Sequence, residues 1–587
     1  MTASSPTSER HSPSPIMRSS THIVCLASFG STPGDLLLEI AGYFESRSDL
    51  LSLCLTSKSF FSDIAPALYQ SVVLTSAQQC TATLAMLKRR KDIARHVREL
   101  FVSPSRSNSY QDPSFLDSRA ASVAVAEIAA SRSLDALSKF TWSDHEIAYH
   151  EEMWLALRMC CPRLRYLSTS IGAYFPSSSH LFNFTDLLGF SLFLKPGFYE
   201  NNAESLLDGM SIFILRTGPL LYIRSEEQIP SKRLWDMLFK RCPNLEELVI
   251  EGYSVFPAEA RCLVDGRWPN LHKLALGDIA IDWNSTASPA AKGSFITFLE
   301  AHTELQSLGL SRHNIDSSQL NSLDPDALKL TSFSGTLTQV QALSPSYSSL
   351  TSLTLRDPVW SRDVTTMTIS GLLQQLTSLT ELNISFMLHS PYDSSSILRA
   401  LISSCPQLQH LQLSCIRKTS FQLDALAKAL PAFRRLRTLS LTLVSAGDLT
   451  LAAAGARIAR ANPRLASFKL AFVPPSYPQA LPRRPLSPFP RTKKESGAFA
   501  LECDAYGLPV ALRVRESCTT VWPWGLGAAR RVKQYTLDLR PPGSPGRTGK
   551  GGVMGILLES SAAGEEMRMF VFCSVLVCFA GAFVVKG

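Results

Sequence analysis

The feature that most constrains this chain is a spacing. Leu-x-x-Leu-x-Leu, with conservative apolar replacements, recurs between residues 97 and 470. Five successive first leucines stand at Leu350, Leu379, Leu408, Leu436 and Leu465, in steps of 29, 29, 28 and 29 residues. Clear earlier copies begin at Leu164, Leu245, Leu271 and Leu305, and weaker ones at Val97, Leu137, Leu187 and Leu330. Between Leu187 and Leu245 there is room for one degenerate copy, around Leu221 and Ile223. Each unit alternates a period-2 piece with a period-3.6 piece: Ile397, Leu398, Leu401, Ile402 and Cys405 share one helical face, as do Leu423, Leu426, Ala427 and Leu430. A strand followed by a returning helix cannot bury its apolar side alone, so about a dozen such units must stack to share a continuous core and a parallel sheet. A stack grows in one dimension, so the 587 residues need not mean the four or so globular domains that length would otherwise suggest.

Composition agrees with a large buried body. Hydrophobic residues make up 45% of the chain and charged ones only 18%, outside the range of a disordered polymer. The 13 cysteines include no Cys-x-x-Cys pair and no Cys/His cluster with metal-ligand spacing, and several recur as Cys-Pro just before a leucine pattern. They read as small buried hydrophobes in a reducing compartment. Residues 1–30 are Ser/Pro-rich and expected to be disordered, and the apolar group Ile23 to Ala27 is too short for a signal-peptide core. The expected location is therefore cytoplasmic or nuclear, and the sequons at Asn183, Asn284 and Asn383 are chance matches.

The repeat resembles the leucine-rich-repeat family. That resemblance implies an α/β horseshoe over residues 95–472, with parallel strands on the concave side and full helices on the convex side. One departure is visible: the Asn or Cys usual three residues after the last strand leucine is replaced by Tyr253, Ile279, His313, Pro358, Met387 and Ile416, so turns and curvature should be irregular. Strand residues alternate between core and open face. The outward set reads Tyr166, Ser168, Ser170; Glu247, Val249, Glu251; Lys273, Ala275; Ser352, Thr354, Arg356; Glu381, Asn383, Ser385; His410, Gln412, Ser414. Small polar residues with scattered charge suit a protein or peptide ligand better than a small molecule. Tyr166, Glu247, Glu251, Lys273, Arg356, Glu381, His410 and Gln412 are the candidate substrate contacts. Most of such a strip is merely solvated, since under about a third of interface residues carry binding energy.

Ahead of the repeats, Thr32 to Val72 carries three apolar bursts at helical intervals: Leu36, Leu37 and Ile40; Leu50, Leu53 and Cys54; Phe60, Phe61 and Ile64. A helical bundle this small closes only a modest core and leaves an apolar face available for docking. The stretch resembles an F-box, through Pro33, Asp35-Leu36-Leu37-Leu38-Glu39-Ile40, Asp49-Leu50-Leu51-Ser52-Leu53, Thr56-Ser57-Lys58-Ser59-Phe60 and Pro66-Ala67-Leu68-Tyr69. Thr32 stands where the family usually has Leu, and Tyr69 where many members have Trp. The resemblance implies a three-helix F-box over 32–72 that attaches the chain to the Skp-type adaptor of a cullin-RING (SCF) ubiquitin ligase. Position by position it implies adaptor contacts at Pro33, Leu36, Leu37, Ile40, Leu50, Leu53, Ser57, Phe60, Leu68 and Tyr69.

Behind the repeats, the prolines and basic residues of 473–497 read as a linker. Residues 498–542 read as a short β cap: Phe499 to Asp504, a turn at Tyr506 to Pro509, Val510 to Arg515, an aromatic corner at Val521 to Gly525, then Val532 to Leu539. Residues 543–566 are of low complexity, and 567–587 form a hydrophobic tail in which Met569 to Val585 is 17 residues without a charge. That is the lower limit for crossing a bilayer. Between 481 and 550, thirteen Lys/Arg stand against five Asp/Glu, a local surplus that reads as a solvated face; no nucleic-acid-binding fold accompanies it.

No residue set implies chemistry. In GRTGKGG, Ser544 and Gly551 replace the Gly and Ser/Thr that a phosphate loop requires. His145 and His150 are five apart and do not share a helical face as a zinc motif would need. No catalytic group, metal or cofactor is expected. The sequence reading is a non-catalytic substrate receptor, with F-box bound to adaptor and repeats bound to an unknown protein. The alternative is a membrane-tethered repeat scaffold outside any ligase, anchored through 569–585.

Overall fold

A computed structural model of the chain describes residues 33–44, 47–104, 114–143, 151–171, 179–194, 232–253, 261–278, 292–312, 314–390, 392–415, 420–444, 450–473, 492–504, 508–521 and 528–540. The chain divides into two compact units, Met1–Ser71 and Val72–Gly587.

The first unit contains α1 (Gly34–Gly42), α2 (Arg47–Cys54) and α3 (Lys58–Tyr69). Pro33 precedes α1 with its φ already near the helical value, and Asp35 places a carboxylate in the first turn, where the helix dipole favours it. Ser57 caps α3, its Oγ accepting from the Phe60 N–H at 3.1 Å. Each helix contributes one i,i+4 pair to the core: Leu37 with Ala41, Leu50 with Cys54, and Phe60 with Ile64. Leu53, Phe61, Ala67 and Leu68 pack against this core and stay partly exposed.

The second unit is built on one sheet. Its strands are β1 (Ser71–Leu74), β2 (Glu99–Val102), β3 (Lys139–Trp142), β4 (Tyr166–Ile171), β5 (Gly189–Leu194), β6 (Glu247–Tyr253), β7 (Lys273–Asp278), β8 (Ser307–Gly309), β9 (Ser332–Gly335), β10 (Ser352–Leu355), β11 (Val359–Trp360), β12 (Glu381–Met387), β13 (His410–Ser414), β14 (Thr438–Val444) and β15 (Ser467–Val473), followed by β16 (Thr492–Cys503), β17 (Pro509–Val521) and β18 (Ala528–Asp538). From β2 to β15 neighbouring strands are parallel; β11 is a two-residue side ladder on β12, and β10 pairs directly with β12. β16, β17 and β18 continue the sheet antiparallel.

One row runs through the whole sheet in unbroken register: Leu100, Phe140, Leu167, Phe190, Leu248, Leu274, Leu308, Phe333, Leu353, Leu382, Leu411, Leu439 and Phe468. None of these is more than 2% exposed. The first leucines of the pattern form a second buried row, from Val97 and Leu137 to Leu436 and Leu465. Side chains on this face have their neighbours one strand spacing away on both sides, so the core is continuous along the stack although each unit is thin.

Several expectations change here. β5 pairs directly with β6 over six positions, Gly189 to Leu194 against Glu247 to Gly252, so a copy around Leu221 and Ile223 cannot supply a strand between them. The stack starts before residue 95, because β1 lies beside β2, the Ser103 N–H donating to the Leu74 carbonyl at 2.8 Å, and buries Val72 and Leu74. The connections are also uneven. Those at Ala77–Arg89, Ser114–Ala130, Glu151–Cys160, Thr366–Gln375, Asp393–Ser404 and Leu451–Ala461 are full α-helices, whereas His180–Asn183 and Arg261–Asp265 are single 3₁₀ turns and Ser317–Leu320 is one α turn. Near the short connections, buried polar groups hold the backbone instead. Asn314 Nδ2 donates to the Gly277 carbonyl at 2.8 Å, and Gln339 Nε2 to the Ser311 and Ile315 carbonyls at 2.9 and 3.1 Å. Asn314 thus supplies a side-chain amide one residue beyond the position where the pattern lacks one.

The recurring Cys-Pro pairs also acquire a reason. Cys242 and Cys405 end their helices with nearly the same backbone, φ −125° and ψ 57° against φ −123° and ψ 65°, in keeping with the bias of a residue before proline away from the helical region. Both of these cysteines are buried. Asn462, before Pro463, is buried as well and is satisfied by hydrogen bonds, donating to the Leu430 carbonyl and accepting from Arg464 N.

At the far end the cap is larger than the sequence reading. β16 begins at Thr492, inside the stretch read as linker, and β17 reaches Val521. Phe499 stacks on Phe468 with centroids 4.7 Å apart and planes 8° from parallel, so the buried row continues into the cap and on to Val514. The remaining aromatic corner from Trp522, the low-complexity stretch 543–566 and the tail 567–587 lie outside the described residues, as do residues 1–30.

Candidate protein-binding surfaces

The first unit offers apolar side chains to solvent. Leu36 is 50% exposed and Ile40 41%, one helical turn apart on α1. Leu38, Tyr43, Phe44, Leu51 and Leu55 are exposed as well. Seven exposed apolar side chains on a unit of this size are more than isolated surface leucines, which would need no explanation. Three residues expected at a docking surface are elsewhere: Leu37, Leu50 and Phe60 are buried in the unit's own core, where α1, α2 and α3 meet. Leu53 and Leu68 lean on that core and Tyr69 is half-buried, while Pro33 and Ser57 are exposed, Ser57 serving as a cap. Helical spacing identified the bursts but could not say which member of each faces inward; the exposed Leu38, Leu51 and Leu55 were missed for that reason.

On the open face of the sheet, the expected residues separate into two groups. The first is tied up with itself. Tyr166 lies across β5, where Gly189 leaves room for its ring: a Cβ there would come within 2.3 Å of it. Its hydroxyl donates to Glu246 at 2.9 Å, and burial, then this carboxylate, push the phenol up to about 12. Glu247 pairs with Lys273 at 3.1 Å. Arg356 reaches back over β9 and β8, donating to Ser334 Oγ at 2.9 Å, the Leu276 carbonyl at 2.8 Å and Glu251 at 3.1 Å. Gly309 makes that path, since a Cβ there would stand 2.8 Å from the Arg356 guanidinium. These side chains are polar cross-braces between strands. Ser170 and Val249, expected outward, are buried.

The second group is open. Glu381, His410 and Gln412 are exposed on β12 and β13, with His410 Nδ1 at 2.6 Å from Thr438 Oγ1. The register carries the row of Gln412 through Ser440 to Lys469, also exposed, and the row of His410 through Thr438 to Ser467. Lys469 is outward by the same alternation, lying between the core residues Phe468 and Leu470 of the copy that begins at Leu465.

Neither surface holds a reacting constellation. The buried thiols of Cys161, Cys242 and Cys405 are pushed up to about 12, 11 and 12 by desolvation, far from thiolate at neutral pH. Among the described residues no group of three His, Cys, Asp or Glu side chains converges as metal ligands would. His145 and His150 and the GRTGKGG stretch lie outside those residues. The neighbouring Glu151 has a structural task, accepting from Ser179 Oγ at 3.0 Å and His180 N at 2.7 Å. Among the described residues no helix is long and apolar enough to cross a membrane.

No protein-family model matches the chain, and no curated protein sequence is similar to it. Among solved structures, the chain is similar to the leucine-rich repeat-containing protein LegL7 from Legionella pneumophila, at 14% identity and a TM-score of 0.29, over 43% of this chain and 81% of that one.

Proposed function

We propose that the chain is a substrate receptor of an SCF-type ubiquitin ligase: the three-helix unit docks on a Skp-type adaptor, and the open face of the repeat sheet holds a protein substrate. The observation that carries this reading is the exposure of Leu36 and Ile40 on α1 while Leu37 and Ala41 of the same helix make the core. A helix with apolar residues on both faces needs a second surface to cover the outer one. Together with the ordered F-box-like series from Pro33 to Tyr69, that favours adaptor docking. The chain would contribute no chemistry of its own. It would raise the effective concentration of a substrate lysine near a ubiquitin-loaded enzyme, turning a bimolecular step into an intramolecular one.

Replacing Leu36 and Ile40 by Ala should each remove about 1–3 kcal/mol of apolar contact with the adaptor. Both side chains lie outside the unit's core, so the helices should survive the change. Co-purification of the adaptor with the double variant as strongly as with the parent chain refutes the assignment.

A further inference from the structure

Along the edge where β9, β10 and β12 begin, the residue before each strand is a threonine, and its hydroxyl ties the turn to the preceding unit. Thr331 Oγ1 donates to the Gln306 carbonyl at 3.2 Å, Thr351 to Thr331 at 3.0 Å and Thr380 to Thr351 at 3.2 Å. Two positions earlier, Ser349 and Ser378 also donate to backbone carbonyls. In the last three parallel units this hydroxyl ladder stops. The row of threonines continues as Gln409, Arg437 and Ala466, and the row of serines ends in Arg435 and Arg464.

The replacements change what the edge can do. Arg434, Arg435, Arg437 and Arg464, with Gln409 and Leu436, line a depression of about 440 Å³. All four arginines are exposed, and among the described residues none is ion-paired with a carboxylate. Arg464 Nη1 donates to the Arg434 carbonyl at 3.3 Å, which holds one guanidinium at the rim. Little negative charge is near in sequence: residues 405–470 contain ten Lys/Arg and two Asp/Glu, and of those two Asp424 is engaged by Arg457. Like charges gathered around one depression repel even in water, and a bound anion relieves that repulsion. The threonines and serines of the neighbouring units show that this edge can be closed with neutral side chains.

We propose that this depression binds a small free anion carrying two or more phosphate groups. Guanidinium forks match phosphate oxygens two at a time, and four positive charges exceed the charge of about −2 that one phosphate group carries, so an anion with several groups balances them better. The volume suits a compact ligand, and the lining comes from three adjacent turns instead of running along many strands as a bound chain would require.

The test is calorimetric titration of the full chain with sodium tripolyphosphate, with sulfate and orthophosphate as single-anion controls, at an ionic strength of about 0.15 M. Tripolyphosphate should bind at least about tenfold tighter than either control, and Arg435→Gln/Arg464→Gln should weaken it by about tenfold or more. Arg437→Lys, which keeps the charge and loses the fork, should weaken it by a smaller factor. Melting temperatures without ligand should equal or slightly exceed the parent's, since the side chains are exposed and losing positive charge relieves repulsion. Equal binding of tripolyphosphate and sulfate, or an unchanged affinity in the Gln variant, overturns the proposal. So does a doubly phosphorylated peptide or an RNA that binds at the same arginines about tenfold tighter than tripolyphosphate, because the site would then belong to a macromolecule.

Discussion

His302 shows how single residues hold this stack together. It is buried, its Nδ1 lies 2.7 Å from the Phe298 carbonyl, and its Nε2 accepts from the Trp268 N–H at 3.1 Å. Both contacts require a neutral ring protonated on Nδ1. Burial lowers its pKa below the usual 6.5; the Phe298 carbonyl opposes this and Arg267 adds to it. In the unfolded chain the ring titrates near 6.5, so between that value and the lowered folded one the unfolded state binds the extra proton. Its contribution to stability is full above about pH 6.5 and is lost as pH falls toward the folded value. The melting temperature should therefore drop between about pH 7.5 and 5.5, and drop less in His302→Gln. An equal drop in both proteins removes His302 from the account.

Arg356 and Gly309 make a second case at this scale. Arg356→Met strands Glu251 and a backbone carbonyl, and should cost on the order of 1–3 kcal/mol, toward the lower end because both charged groups are partly solvated. Gly309→Ala should destabilise by displacing the guanidinium. Denaturant midpoints for the two single variants and the double should show the glycine's penalty shrinking once Arg356 is gone. Strict additivity would mean the two positions do not meet.

At the scale of elements, the leucine spacing located nearly every parallel strand from β2 to β15. The weak copies at Leu137, Leu187 and Leu330 have Phe140, Phe190 and Phe333 in place of the second leucine, and two of them also have Trp142 and Gly335 in place of the third; the packed row accepts Phe as well as Leu. The connections were less legible. A 28-residue step can be met by a three-turn helix or by a 3₁₀ turn with longer loops, and apolar periodicity does not separate the two. The open face was the least legible part: alternation tells which side chains point outward, while cross-bracing by Tyr166, Lys273 and Arg356 depends on distances across strands far apart in sequence. The first unit was legible as three helices, although the inward member of each burst was not. One element-scale prediction follows from the packed row. Leu382→Ala should cost about 2–5 kcal/mol, since the cavity would be walled by Leu353 and Leu411 on neighbouring strands and could not collapse. Leu51→Ala, at an exposed site on α2, should be nearly neutral to folding; thermal melts of both variants make the comparison.

For the whole molecule, the cap decides whether the stack is a closed object. β16 saturates the edge of β15, and Phe499 covers Phe468. A chain truncated after Val473 would expose that strand edge and its apolar row, and should aggregate at concentrations where the full chain stays dispersed, as size-exclusion chromatography would show. An equally monodisperse truncated chain would make the cap dispensable.

Because one row of side chains keeps its register across the parallel strands, neighbouring strands meet through the same kind of contact at every joint, although the segments between them differ. Such a molecule is a spring of similar links. Held in an optical trap, it should lengthen in steps as links let go singly, unequal among the early units and even, at about 29 residues or roughly 100 Å of slack each, among the units from Leu350 to Leu465. The long antiparallel strands β16 and β17 clamp one end, so peeling should begin at the other.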